Sequence, residues 1–311
     1  MNDFRLPLGD WVEQGLDQLV AAGGWFFDGF RDIVSTVADA VNFVVTEPAP
    51  LIMIAILVLL GLLARGVVFA VGSAIGLVVI LGVDQWDNAM ESLGLVLVAA
   101  AIAILISVPV GILAAKNRVA SIIVKPILDF MQTMPAFVYL IPALLLFRIG
   151  DVPGIVATVI FALAPGVRMT ELGIRGVDTE VVEAAQAFGA SPGRILRQVQ
   201  LPLAMPSIMA GVNQVIMLSL SMVVIAAMVG AGGLGRDVVM SLNTANVALG
   251  FESGLSVVIL AIFLDRLTAA FSNGNGGAFR FILNATRPVG STSTTVEATA
   301  AAQRRPAPTA V

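Results

Sequence analysis

The chain has 311 residues, 58% of them hydrophobic and only 12% charged, with a net charge of −4 and a mean hydropathy of +0.96. Soluble domains carry about 25% charged residues, so a soluble fold is excluded, and the charge balance gives no footprint for nucleic acid. Cysteine and histidine are both absent, which removes disulfide frameworks, thiol and imidazole catalysis and the usual zinc sites.

The N-terminus, MNDFRLPLGDW, lacks the charged-then-apolar form of a signal peptide, so the apolar spans themselves direct insertion. Acids interrupt residues 1–48 too often for a span. Trp11, Leu16 and Leu19, then Trp25, Phe26, Phe30, Val34, Val37 and Val41, nonetheless recur at helical spacing. One or two amphipathic helices are predicted, lying on a membrane surface or packed on the chain's own spans.

Seven spans are predicted from Pro50 onward, each near the bilayer-crossing length of about 20 residues. The first two, 49–64 and 66–83, are divided only by Arg65 and Gly66 and form a tight hairpin or one broken element. The third, 92–115, holds no charge between Glu91 and Lys116. The fourth (134–149) and fifth (152–167) each contain two prolines, which neighbouring helices can accommodate. The sixth covers 207–230 and the seventh 251–271. Placing the 168–206 loop in the cytoplasm puts thirteen of the 17 basic residues inside and four outside. That bias orients the N-terminus outward and the C-terminus inward. The tail after 284, rich in Ala, Thr, Ser and Pro, has too little apolar content to pack and is expected to be disordered. No internal repeat is visible, which argues against inverted-repeat transporters.

Residues 168–206 are too patterned for a simple connector. Asp178 or Thr179 caps a helix through 180–188, with acids early, as its dipole prefers. Ala184, Ala185 and Ala187 keep that helix thin, and Gly189 ends it. Ser191-Pro192 starts a second helix over 193–199, and Leu201-Pro202 closes the unit. The result is an elbow with Phe188, Ile195, Leu196 and Val199 as apolar anchors for a groove on another protein.

Glu183-Ala184-Ala185, three residues, Gly189, nine residues, Val199, one residue and Leu201-Pro202 resembles the EAA loop of ABC importer permeases. Val199 stands where isoleucine is commoner. The stretches 127–147, 199–235 and 259–268 resemble the glycine betaine/proline-type osmoprotectant permeases, and the likeness covers roughly 85–272. It implies an all-α polytopic membrane protein of the type I ABC importer permease fold, in the bacterial cytoplasmic membrane. The implied organisation is N-terminal amphipathic helices (1–48), an accessory hairpin (49–83), a permease core (84–272) and a cytoplasmic tail (273–311). The loop is then a coupling helix that docks on a cytoplasmic ATPase. Partners implied are that ATPase, an extracytoplasmic substrate-binding protein, a second copy of the chain and membrane lipid. The substrate class implied is compatible solutes: glycine betaine, proline or related quaternary ammonium compounds.

Energy must come from outside the chain. Spans three and six hold no ionisable group of the kind that couples secondary transport. Asp265 beside Arg266 is an exception, read first as an anchoring pair. No phosphate loop of the GxxxxGK[ST] form occurs, so ATP and Mg belong to the partner ATPase and no cofactor to this chain. Gly230–Gly235 fits GxGxxG but follows an apolar helix instead of a strand, and is read as a tight turn or gate. An enzyme is not expected. The alternative is an ion-coupled transporter or channel without an ATPase.

A zwitterion needs only weakly polar and polarizable contacts along its path. Asn213, Met217 and Ser221 form one stripe at four-residue steps. Met134, Phe137 and Tyr139 add sulfur and aromatic faces. Helix packing is an equal reading for Asn213 and Ser221.

Overall fold

The computed structural model describes residues 6–272, so the predicted disordered tail lies outside the described residues. Every regular element among them is helical: α1 Leu8–Thr46, α2 Pro50–Arg65, α3 Val67–Gly82, α4 Trp86–Lys116, α5 Arg118–Thr133, α6 Leu140–Phe147, α7 Asp151–Arg175, α8 Thr179–Ala187, α9 Pro192–Ile195, α10 Leu201–Ala226, α11 Leu234–Thr244 and α12 Val247–Ser272.

The N-terminal region is one helix of 39 residues. Its two halves differ. Trp11, Leu19 and Trp25 are exposed, whereas Val34, Ala38 and Val45 are buried. Phe27 and Phe30 pack on Phe147 of α6 at 5.8 and 5.5 Å, and Arg148 pairs with Asp28 at 3.2 Å. The chain then bends by 98° into α2, at Pro48 and Pro50, where proline withholds the donor a helix needs. Helices α2 and α3 pack against each other across a turn at Gly66, with Phe69 against Gly61.

Among the described residues, four helices are long and apolar enough to cross a membrane: α4, α7, Pro192–Val229 and Val247–Ala270. Two bent pairs, α1 with α2 and α5 with Ala136–Phe147, bring the number to six. Seven was the expectation. The one span not counted is α3, an apolar helix too short to count by itself, while the first and fourth expected spans are arms of the two bent pairs. Helices α2 and α3 have 16 residues each and reach only about 24 Å at 1.5 Å per residue. The predicted fourth span is not one rod: Met134 is extended ahead of Pro135, as a residue before proline prefers. The chain there bends by 109° between α5 and Ala136–Phe147. Asn117 caps α5 by accepting from Val119 N at 2.9 Å, a helix the sequence reading left unassigned.

Helices α4, α7 and α10 form the core, and glycine lets them approach closely. A Cβ on Gly154 would lie 2.8 Å from Ala226 Cβ, on Gly211 2.8 Å from Met169 Cβ, and on Gly173 2.7 Å from Ser207 Cβ. These contacts run along the whole of α7 against α10, with small residues replacing the interior driving force that lipid does not supply.

Candidate functional site

The loop predicted at 168–206 is shorter than expected. Helix α7 continues to Arg175, because Pro165 sits inside it without ending it. At the other end α9 runs through a π-turn, Leu196–Gln200, straight into α10. The predicted second helix of the elbow is therefore the first turns of a 38-residue rod, Pro192–Val229. The free elbow is α8 and its two links.

Helix α8 starts where Asp178 accepts from Glu180 N at 2.9 Å. It stops in a paired capping arrangement: Ala190 N donates to Ala185 O at 3.1 Å and Gly189 N to Gln186 O at 2.8 Å. Gly189 holds φ +77°, a region that side chains with a Cβ resist. Phe188 projects from that corner and is 92% exposed. Glu183 and Ala184 are exposed beside it, Ala185 is half-buried, and Glu183 makes no ion pair or hydrogen bond among the described residues. Ile195 is only 4% exposed, facing Ile174 and Val182 at the root of the elbow. Leu196 and Leu201 pack on the cluster of Ile174, Val177, Ala204 and Ile208. Val199 is half-buried and Pro202 exposed. Ile195 was expected to fill a partner's groove along with Phe188 and Leu196. Its burial gives it a different task, anchoring the elbow to the bundle, and leaves Phe188 as the outward apolar contact. Phe188→Ala is accordingly expected to weaken ATPase association by about 2 kcal/mol with little loss of fold. Ile195→Ala should instead lower thermal stability, by about 2–5 kcal/mol. Pull-down and melting curves of both variants separate the two roles.

Near the end of α7 lies a carboxylate that sequence reasoning missed. Glu171 of α7 is 4% exposed. It accepts from Ser121 Oγ at 2.7 Å and pairs with Arg175 Nε at 3.1 Å and Lys125 Nζ at 3.4 Å. Arg175 also donates to Ala114 O at 2.8 Å. One buried acid and its partner Arg175 thus tie the ends of α4, α5 and α7, and Arg175 shares a cleft with Val182 and Gln186 of α8. The signal was present as an i,i+4 Glu–Arg pair, within a stretch read as loop.

The pathway candidates divide. Asn213 donates to Asp265 Oδ1 at 3.0 Å and accepts from Thr268 Oγ1. Both partners lie on α12, so Asn213 joins helices. Tyr139 is 7% exposed, and its hydroxyl donates to Met131 O. Met134 packs beside it in the cluster with Leu140, Ala143 and Met222. Phe137, Met217 and Ser221 are exposed. Along α10, Leu203, Pro206, Ala210, Gln214, Met217 and Ser221 form one uncovered stripe at three- and four-residue steps. Gln214, Met217 and Ser221 are its weakly polar middle.

The glycine-rich Gly230–Gly235 turn has its amides already taken. Gly233 N donates to Glu91 Oε2 at 2.7 Å, Gly232 N to Asp151 Oδ1 at 3.1 Å and Leu234 N to Ser92 Oγ at 2.8 Å. Two carboxylates occupy the place a pyrophosphate would need, and their charge opposes one. Asp237 is held in turn by Gln85 and Asn88 at 3.0 and 2.8 Å.

Glycine-seamed membrane helices carrying an exposed, capped elbow define a translocation subunit that takes its energy from a neighbour. The comparisons agree. The family described as binding-protein-dependent transport system inner membrane component matches residues 107–274. The glycine betaine/carnitine transport permease protein GbuB of Listeria monocytogenes is 47% identical over 278 residues, covering 87% of this chain and 97% of that protein. The glycine betaine transport system permease protein OpuAB of Bacillus subtilis is 46% identical over 269 residues, covering 85% and 94%. The glycine betaine/proline betaine permease protein ProW of Escherichia coli is 46% identical over 266 residues, covering 85% and 75%. A solved inward-facing form of the MetNI methionine ABC transporter superposes with a TM-score of 0.55 at 23% identity, over 65% of this chain and 96% of that one. A second form gives 0.51.

The chain belongs to the binding-protein-dependent transport system inner membrane component family. It is a permease subunit of an ABC importer, multi-pass in the cytoplasmic membrane, with ATP hydrolysis on separate subunits.

Proposed function

We propose that this permease imports compatible solutes of the glycine betaine and proline betaine type, as one of two copies coupled to two cytoplasmic ATPases and fed by an extracytoplasmic binding protein. The observation that carries the coupling is the exposed Phe188 corner, with Ile195 buried at its root. Closure of two ATPases on ATP and Mg would draw two such elbows together, and the rod from Pro192 to Val229 would carry that motion into the bilayer. The residues of the coupling surface are Glu183, Ala184, Phe188 and Gly189, with Ala185, Ile195, Leu196, Val199, Leu201 and Pro202 supporting them. The N-terminus lies outside and the C-terminus inside, on the thirteen-to-four sorting of basic residues.

Two facts support the solute class. The relatives described above are named for glycine betaine, proline betaine or carnitine. The uncovered middle of α10 offers an amide, a thioether and a hydroxyl and no formal charge, which suits a zwitterion that must bind weakly and leave. Met217→Trp is expected to cut uptake of glycine betaine about tenfold or more by narrowing the path, with the ATPase still bound. Unchanged uptake would remove the stripe from the path.

The ion-coupled alternative is not favoured. Asp265, the one acid that invited it, is engaged by Asn213 and lies 3.8 Å from Arg266 Nε. Reconstituted vesicles decide the matter. Uptake of labelled glycine betaine should require ATPase, binding protein and ATP, and persist when an ionophore collapses the membrane potential. Accumulation without the ATPase would overturn the reading.

A further inference from the structure

Helices α3 and α12 part around a groove of about 570 Å³, within the size range of small-molecule pockets. The helices touch at Gly76, where a Cβ would lie 2.8 Å from Ile259 Cγ2, whereas at Gly72 nothing lies within 4 Å of that position. Phe69 and Phe263 stack along the wall, centroids 5.9 Å apart. Arg65 and Arg266 line the same groove. Two cations therefore stand beside an apolar slot.

Neither guanidinium is firmly committed. Arg65 forms no ion pair or hydrogen bond among the described residues. The neighbour of Arg266 is Asp265, 3.8 Å from its Nε, and that carboxylate already accepts from Asn213 at 3.0 Å. Ser73 also lines the groove, is 7% exposed, and its buried hydroxyl has no partner among the described residues. In hydrocarbon, an unsatisfied polar group is costly. Around the slot, Val68, Val71, Ile75 and Ile262 are all more than half exposed, so it opens on the surface that faces lipid tails.

We infer that this groove holds an anionic phospholipid of the surrounding bilayer, its phosphate between Arg65 and Arg266 and an acyl chain laid along Val68 and Gly72. A guanidinium presents a planar fork of donors that matches phosphate oxygens, and basic pockets between membrane helices are where anionic headgroups settle. A free phosphate would use the arginines but not the slot. A zwitterionic lipid would use the slot but balance the arginines poorly.

The test is native mass spectrometry of the permease–ATPase complex in detergent, with phosphatidylglycerol or phosphatidylcholine of the same acyl chains. Phosphatidylglycerol should stay bound through washing and phosphatidylcholine should not. The double variant Arg65→Gln, Arg266→Gln should lower its retention about tenfold, the loss of a charge-assisted contact. Gly72→Leu, which leaves both arginines and occupies open space, should lower it too. Equal retention by the double variant would overturn the assignment. Displacement by excess inorganic phosphate would overturn it in favour of a plain anion site. Stronger retention after removal of residues 273–311 would make that segment the natural occupant. The readout is lipid bound, not solute moved, so it stands apart from the proposed substrate.

Discussion

Gly189→Val should reduce solute uptake and substrate-stimulated ATP hydrolysis together by about tenfold or more, while basal ATP hydrolysis persists. Gly189 sits at φ +77°, where an L side chain costs about 1–2 kcal/mol and a β-branched one more. The cheapest relief is to flip the corner to negative φ. That would break the Ala190 to Ala185 and Gly189 to Gln186 bonds and swing Phe188 away from its direction. Gly189→Asn is the control, since asparagine tolerates the left-handed region; it should retain most of the uptake. If valine left uptake and stimulated hydrolysis coupled, the elbow would not be the point where work enters.

The second large effect is at Glu171. Glu171→Ala removes one acceptor shared by Ser121, Lys125 and Arg175, leaving a buried hydroxyl and two cations without their counter-charge. Losing hydrogen bonds to a charged group costs about 1.5–3 kcal/mol each. Lys125 and Arg175 are 55% and 41% exposed in their side chains, so water recovers much of their share. A net loss of about 2–4 kcal/mol is expected from the alanine variant, read as a lowered melting temperature and uncoupled hydrolysis. Glu171→Gln keeps the Ser121 bond and should lose less, and Lys125→Ala should cost under about 1 kcal/mol. An alanine variant that melts and couples like the parent would make the cluster incidental.

Much of this architecture could be read from residue order. Long uncharged runs such as 92–115 give α4 because a bilayer demands length and apolarity and little else. The elbow was legible because its parts are chemically marked: Asp178 as cap, Gly189 as stop, Ser191-Pro192 as restart. Two things were not. Hydropathy cannot see that α7 runs on past the membrane to Arg175, since Arg168, Glu171 and Arg175 look like loop residues until Asp129, Ser121 and Lys125 are found to face them. The break at Met134–Pro135 was hidden for the opposite reason: the apolar run is continuous through it, and only the proline's effect on its predecessor marks the turn. Asn213 shows the limit for the path. Its spacing from Met217 and Ser221 suggested a path-lining stripe, but its amide is taken up by Asp265 and Thr268 of α12.

The backbone-close approach of α7 to α10 has a mechanical consequence. Where Gly154, Gly173 and Gly211 leave no slack for a methyl group, sliding or prising the two helices apart would open voids that neither lipid nor side chain could refill. They must travel as one stiff unit throughout the work cycle. Whatever gap admits and discharges cargo has to open along a boundary other than that one.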